Sequence, residues 1–87
     1  MAFVNLKPLL PGHVLVSPLR VAPRLSDLST DELTDFMLTI RRVSRMLERV
    51  YGASALNIAM QDGPDAGQSV PHVHMHLIPR KAMDMDD

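Results

Sequence analysis

The sequence predicts an α+β domain, an antiparallel β-sheet with one long helix packed across one face. Three observations carry that expectation. A capped stretch between Ser29 and Gly52 has a helical apolar period, short apolar and β-branched runs lie on both sides of it, and their order along the chain is β-β-α-β-β. With 87 residues and no cysteine, there is room for one small domain and no disulfide to staple it.

Taken in order, residues 2–6 are a short apolar run that can form a strand. Lys7-Pro8 and Pro11-Gly12 then punctuate the chain as turns, with no room for a helix between them. Residues 13–17 are β-branched and apolar, and Pro18 is expected to end that strand. Ser29-Thr30-Asp31-Glu32 has the form of a capping box, with Ser29 at the N-cap and Glu32 three residues on. Leu28 and Leu33 stand where a hydrophobic staple needs them.

Leu33, Phe36, Met37, Ile40, Val43, Leu47, Val50 and Tyr51 form the apolar stripe of this helix, and Gly52 is its stop. Arg41, Arg42, Arg45 and Arg49 fall on the opposite face and read as solvated surface near the negative helix end. Residues 54–61 alternate as a strand, with Leu56, Ile58 and Met60 on one face. Residues 62–67 are turn-rich, and residues 70–79 read as the last strand. The expected domain spans residues 1–82, with 83–87 an acidic tail.

Composition narrows the function classes. A formal net charge of -1 makes the chain as a whole no electrostatic match for a nucleic-acid polymer or an anionic membrane. Three aromatics, none of them tryptophan, are little material for stacking bases. No apolar run approaches the roughly 18 residues that span a bilayer, and the start lacks the pattern of a signal peptide. The expectation is an intracellular domain, cytoplasmic or nuclear, with seven methionines softening a core or an interface.

Three of the four histidines stand in His72-Val73-His74-Met75-His76-Leu77-Ile78. Strand periodicity puts the three imidazoles on one face, about 6.6–7 Å apart, and Val73, Met75 and Leu77 on the other. The apolar face is then expected to meet the helix stripe and the imidazole face to look into a cleft. Neutral imidazole is a good nucleophile near neutral pH, and a neighbouring ring can donate hydrogen bonds to phosphate oxygens. Gln61, Gln68 and Ser69 supply uncharged donors near the triad, while Gly63 and Gly67 let backbone approach an anion closely. A metal site is the rival reading, because His-x-His on a strand is a common ligand arrangement. Against it, no cysteine is near, and Asp62 and Asp65 sit on the turn before the strand.

The His-apolar-His-apolar-His-apolar-apolar motif resembles that of the histidine-triad (HIT) nucleotide-binding superfamily. Further stretches are similar to its fragile-histidine-triad branch, the diadenosine polyphosphate hydrolases. They are Val4-Asn5-Leu6-Lys7-Pro8, Pro11-Gly12-His13-Val14-Leu15-Val16, Met60-Gln61-Asp62-Gly63-Pro64-Asp65-Ala66-Gly67-Gln68-Ser69-Val70, and Ile78-Pro79-Arg80. The resemblance runs from about residue 3 to residue 82, and the domain it implies is shorter than its relatives at both ends.

That resemblance implies a hydrolase acting on diadenosine triphosphate or another purine nucleotide, with AMP carried as a phosphoramidate on His74. It implies that His76 and Gln61 contact the α-phosphate or ribose, and Asn5 the ribose hydroxyls. Gly67, Gln68, Ser69 and Val70 would bind phosphates, with His13 and His72 supporting from behind. It implies no built-in metal, with Mg²⁺ or Mn²⁺ arriving on the substrate, and a homodimer. The alternatives are a nucleoside phosphoramidase and a nucleotide-binding signalling module of the same superfamily. The Gln61–Gln68 loop favours the polyphosphate hydrolase.

Overall fold

A computed structural model describes residues 2–6, by backbone alone, and residues 12–81. Its elements are β1 (Ala2–Leu6), β2 (Val14–Pro18), α1 (Thr30–Tyr51), β3 (Ala55–Ala59) and β4 (Met75–Arg80). Short 3-10 turns at Leu25–Asp27 and Pro64–Ala66 interrupt the connections. The four strands form one sheet in the order β1-β2-β4-β3, each neighbouring pair antiparallel. The predicted α+β architecture is therefore present, with α1 packed on one face.

α1 forms where local chemistry spells out its ends. The Ser29 side chain accepts from the Glu32 N–H at 3.1 Å, and Glu32 reaches back to the Ser29 N–H at 2.8 Å. Two donors that a helix start would leave unpaired are thereby satisfied. Gly52 ends the helix in the left-handed region at φ 60° and ψ 33°, a conformation that costs glycine least. Arg20 grips Glu32 with two hydrogen bonds. That grip, helped by the Ser29 N–H, holds the Glu32 carboxyl well below its usual range, at about 2.

The core lies between α1 and the sheet. Phe36, Ile40, Val43 and Leu47 pack against Val14, Val16 and Leu77. Phe36, Leu47, Leu77, Val16 and Val73 are completely enclosed, and each large side chain removed from water stabilises the fold by about 1.5–3 kcal/mol. Gly12 closes the far end of this layer. A side chain there would start 2.8 Å from the Tyr51 ring and 2.9 Å from Pro79.

Several expectations are corrected. Leu33, Met37 and Val50 are exposed, not core, while Ser44 is buried on the helix face turned to the sheet. Side chains at the stripe's flanks and ends are thus left partly open to solvent among the described residues. β2 begins at Val14 and includes Pro18, because β1 pairs along its whole length and Ala2 stands opposite Pro18. β3 is shorter than residues 54–61, and its Ile58 is half exposed. Lys7, Pro8 and Pro11 of the predicted turns, and the acidic tail at 83–87, lie outside the described residues.

Candidate active site

The largest departure from the sequence reading sets the site's geometry. The last strand begins at Met75, not at residue 70, so only His76 of the triad stands on a regular strand. Pro71 has no N–H to give a ladder. The Val73 N–H bonds the Ala22 carbonyl at 2.7 Å, so this stretch pairs with residues outside the sheet. The imidazoles are consequently closer than a strand would hold them: the His74 and His76 ring centroids are 5.1 Å apart, edge to face.

Each ring has a defined neighbour. His74 Nδ1 lies 2.8 Å from the His72 carbonyl. A carbonyl only accepts, so Nδ1 carries a proton, and in the neutral ring this leaves the lone pair on Nε2. The His72 ring turns away, and its Nε2 donates to the Pro18 carbonyl at 2.9 Å. His13 is buried, and its Nε2 lies 3.2 Å from His76 Nδ1. His13 therefore backs His76, and His72 backs His74 through its carbonyl rather than its ring.

In the sheet register Asn5 stands opposite Leu15, Leu15 opposite His76, and His76 opposite Ala59. Asn5 thus shares a cross-strand row with the site, although its side chain lies outside the described residues. Among the described residues no three His, Cys, Asp or Glu side chains come together as metal ligands.

The two glutamines part company. The Gln61 amide makes no hydrogen bond to the described residues and lies beside Gly67, where an added Cβ would come within 3.3 Å of its Nε2. The Gln68 amide is spent on the loop itself. Its Oε1 accepts from the Gly63 N–H at 2.8 Å, and its Nε2 donates to the carbonyls of Pro23 at 2.7 Å and Val70 at 3.0 Å. Gln68 holds the loop together, its own N–H donating to the Gly63 carbonyl at 3.1 Å as well. Gly63 and Gly67 sit at φ 110° and 95°, and Ser69 and Val70 are exposed.

Residues the sequence reading passed over hold this loop from outside. Asp62 accepts from Arg24 Nε at 3.1 Å, Arg24 Nη2 at 3.4 Å and the Leu25 N–H at 2.9 Å. The Arg24 guanidinium and the Leu25 N–H hold the Asp62 carboxyl below the usual carboxylate range. Elsewhere, Leu38, Arg41, Arg42, Arg45, Met46 and Arg49 line an open groove of about 460 Å³ on the outer helix face, with no imidazole at its wall.

Comparison with known proteins shows the chain's family. A curated relative in Schizosaccharomyces pombe, a bis(5'-nucleosyl)-tetraphosphatase (asymmetrical), is 60% identical over 86 residues, 99% of this chain and 47% of that protein. The bifunctional bis(5'-adenosyl)-triphosphatase/adenylylsulfatase of Arabidopsis thaliana is 55% identical over 98% of this chain and 47% of its own length. The chain thus spans about half the length of these relatives. The crystal structure of the Caenorhabditis elegans NitFhit protein superposes with a TM-score of 0.89 at 50% identity, covering 99% of this chain and 21% of that one. The HIT domain family description matches residues 1–83, and with the imidazole constellation in place the chain belongs to the HIT domain family.

Proposed function

We propose that the chain is the histidine-triad part of a hydrolase that cleaves dinucleoside polyphosphates, diadenosine triphosphate among them, through a nucleotidyl-histidine intermediate. The observation that carries this reading is the His74 Nδ1 bond to the His72 carbonyl. It leaves the Nε2 lone pair as the nucleophile without any proton transfer beforehand. His74 Nε2 attacks the α-phosphorus, the bond to the bridging oxygen breaks, and that oxygen departs with ADP. Water then attacks the same phosphorus, the N–P bond breaks, and AMP leaves.

If His13 Nε2–H donates to His76 Nδ1, His76 must hold its own proton on Nε2, where it can meet a non-bridging oxygen. The open amide of Gln61 and the N–H groups of Ser69 and Val70 would meet the other phosphate oxygens, while Gly67 and Gln68, whose N–H groups bond the Pro64 and Gly63 carbonyls, would shape the loop around them. Asn5 would take the ribose hydroxyls, and Mg²⁺ or Mn²⁺ would enter as the counter-ion of the polyphosphate. The names of the Schizosaccharomyces pombe and Arabidopsis thaliana relatives support this substrate class.

The test is turnover of diadenosine triphosphate, diadenosine tetraphosphate and an adenosine phosphoramidate. The expected result is cleavage of the dinucleotides. His74→Ala should lower kcat on the order of 10⁴–10⁶-fold and keep nucleotide binding, since the nucleophile acts in the transition state. Gln61→Ala should cost about 10–100-fold through lost positioning. Preference for the phosphoramidate would make the chain a phosphoramidase, and binding without turnover of any of the three would make it a signalling module.

A further inference from the structure

Residues 18–25, from the end of β2 to the start of the first 3-10 turn, run beside residues 62–73 and are bonded to them at several points. The Pro18 carbonyl accepts from His72, the Ala22 carbonyl from Val73, and the Pro23 carbonyl from Gln68. Arg24 and the Leu25 N–H then take Asp62. The entry and the exit of the 62–68 loop are thus held by three consecutive residues, Pro23, Arg24 and Leu25. Ala22 is completely buried and fixes the segment from below, while Arg20 ties it to the start of α1 through Glu32.

We propose that this segment is a strap that sets where the loop presents Gln61 to the substrate, and that Arg24 is its positioning residue. The inference rests on the hydrolase reading for its kinetic consequence, and the geometry stands apart from it. Arg24 bonds Asp62, the neighbour of Gln61, through Nε and Nη2. The same guanidinium lies against Gly63, where an added Cβ would come within 3.0 Å of its central carbon. A planar fork can satisfy both contacts; a lysine ammonium cannot. The pair is half exposed, so it adds little to global stability. Its effect falls on placement, and small misplacements of a phosphate-contacting group cost far more in rate than in folding.

Arg24→Ala should lower kcat about 10–100-fold with Tm almost unchanged, and Arg24→Lys should not restore it. In a Gln61→Ala background the same substitution should add little, because both act through one group. Arg45→Ala, which removes an exposed arginine from the outer helix face, is the control and should leave turnover as it was. Rescue by lysine, or full additivity with Gln61→Ala, would overturn the proposal. If the unmodified chain turns over no dinucleotide, the hydrolase reading fails by itself. Amide exchange at Gly63, Gly67 and Gln68 then decides the strap: faster exchange in Arg24→Ala supports it, and unchanged exchange sinks it.

Discussion

Ser44 is buried on the core side of α1, and its hydroxyl has no hydrogen-bond partner among the described residues. A desolvated hydroxyl without a partner is a standing cost, and serine is also a poorer helix former than alanine. Ser44→Ala removes one polar atom and leaves a void smaller than a methyl group. It should stabilise the chain by about 1 kcal/mol, read as a higher urea midpoint at constant slope. A lower midpoint would mean that the hydroxyl has a partner in solution. The other residue-scale result is the division of labour between Gln61 and Gln68. Two identical side chains flank one loop, and only the contacts made by Gln68 across the chain separate the latch from the open amide of Gln61.

At the scale of elements, α1 was readable because its signals are local. Ser29, Glu32 and Gly52 act on backbone groups within a turn, so their spacing alone locates both ends. β4 was misread at its start because residues 70–74 look like a strand by alternation, yet the Val73 N–H bonds the Ala22 carbonyl and the His72 ring bonds the Pro18 carbonyl at the end of β2. A backbone carbonyl leaves no mark in residue type. For the same reason the triad could be found from sequence and the strap could not. The helix start also carries a pH signature. Bonds from Arg20 and Ser29 lower the folded-state pKa of Glu32 from 4.5 to about 2. Folding therefore favours the ionised carboxylate: the stabilisation is complete above about pH 4.5 and is lost as pH falls towards 2. Across that window Tm should fall more steeply for the native chain than for Glu32→Gln. Parallel curves would show that the pair does not persist in solution.

For the whole molecule, the strand order leaves β1 and β3 at the edges of the sheet. β3, Ala55–Ala59, carries no charge and presents a half-exposed Ile58. An uncharged edge is a template for another strand, and a two-fold dimer is the arrangement that consumes it without open-ended growth. Sedimentation at micromolar concentration should show a dimer that Ile58→Lys weakens. A stable monomer of the native chain would remove this expectation.

The cross-strand row through Leu15, His76 and Ala59 has a consequence for how errors appear. His76 and Leu77 are adjacent, one turned to the site and the other into the core. Sliding β4 by one residue against β2 exchanges them. An imidazole would then be pressed among Phe36, Leu47 and Val16, and a leucine would stand where the proposed mechanism puts the phosphate. Such a copy loses its chemistry and its core in the same movement. Misassembled copies are inert copies, and damage to this sheet changes how many working molecules exist, not how well each one works.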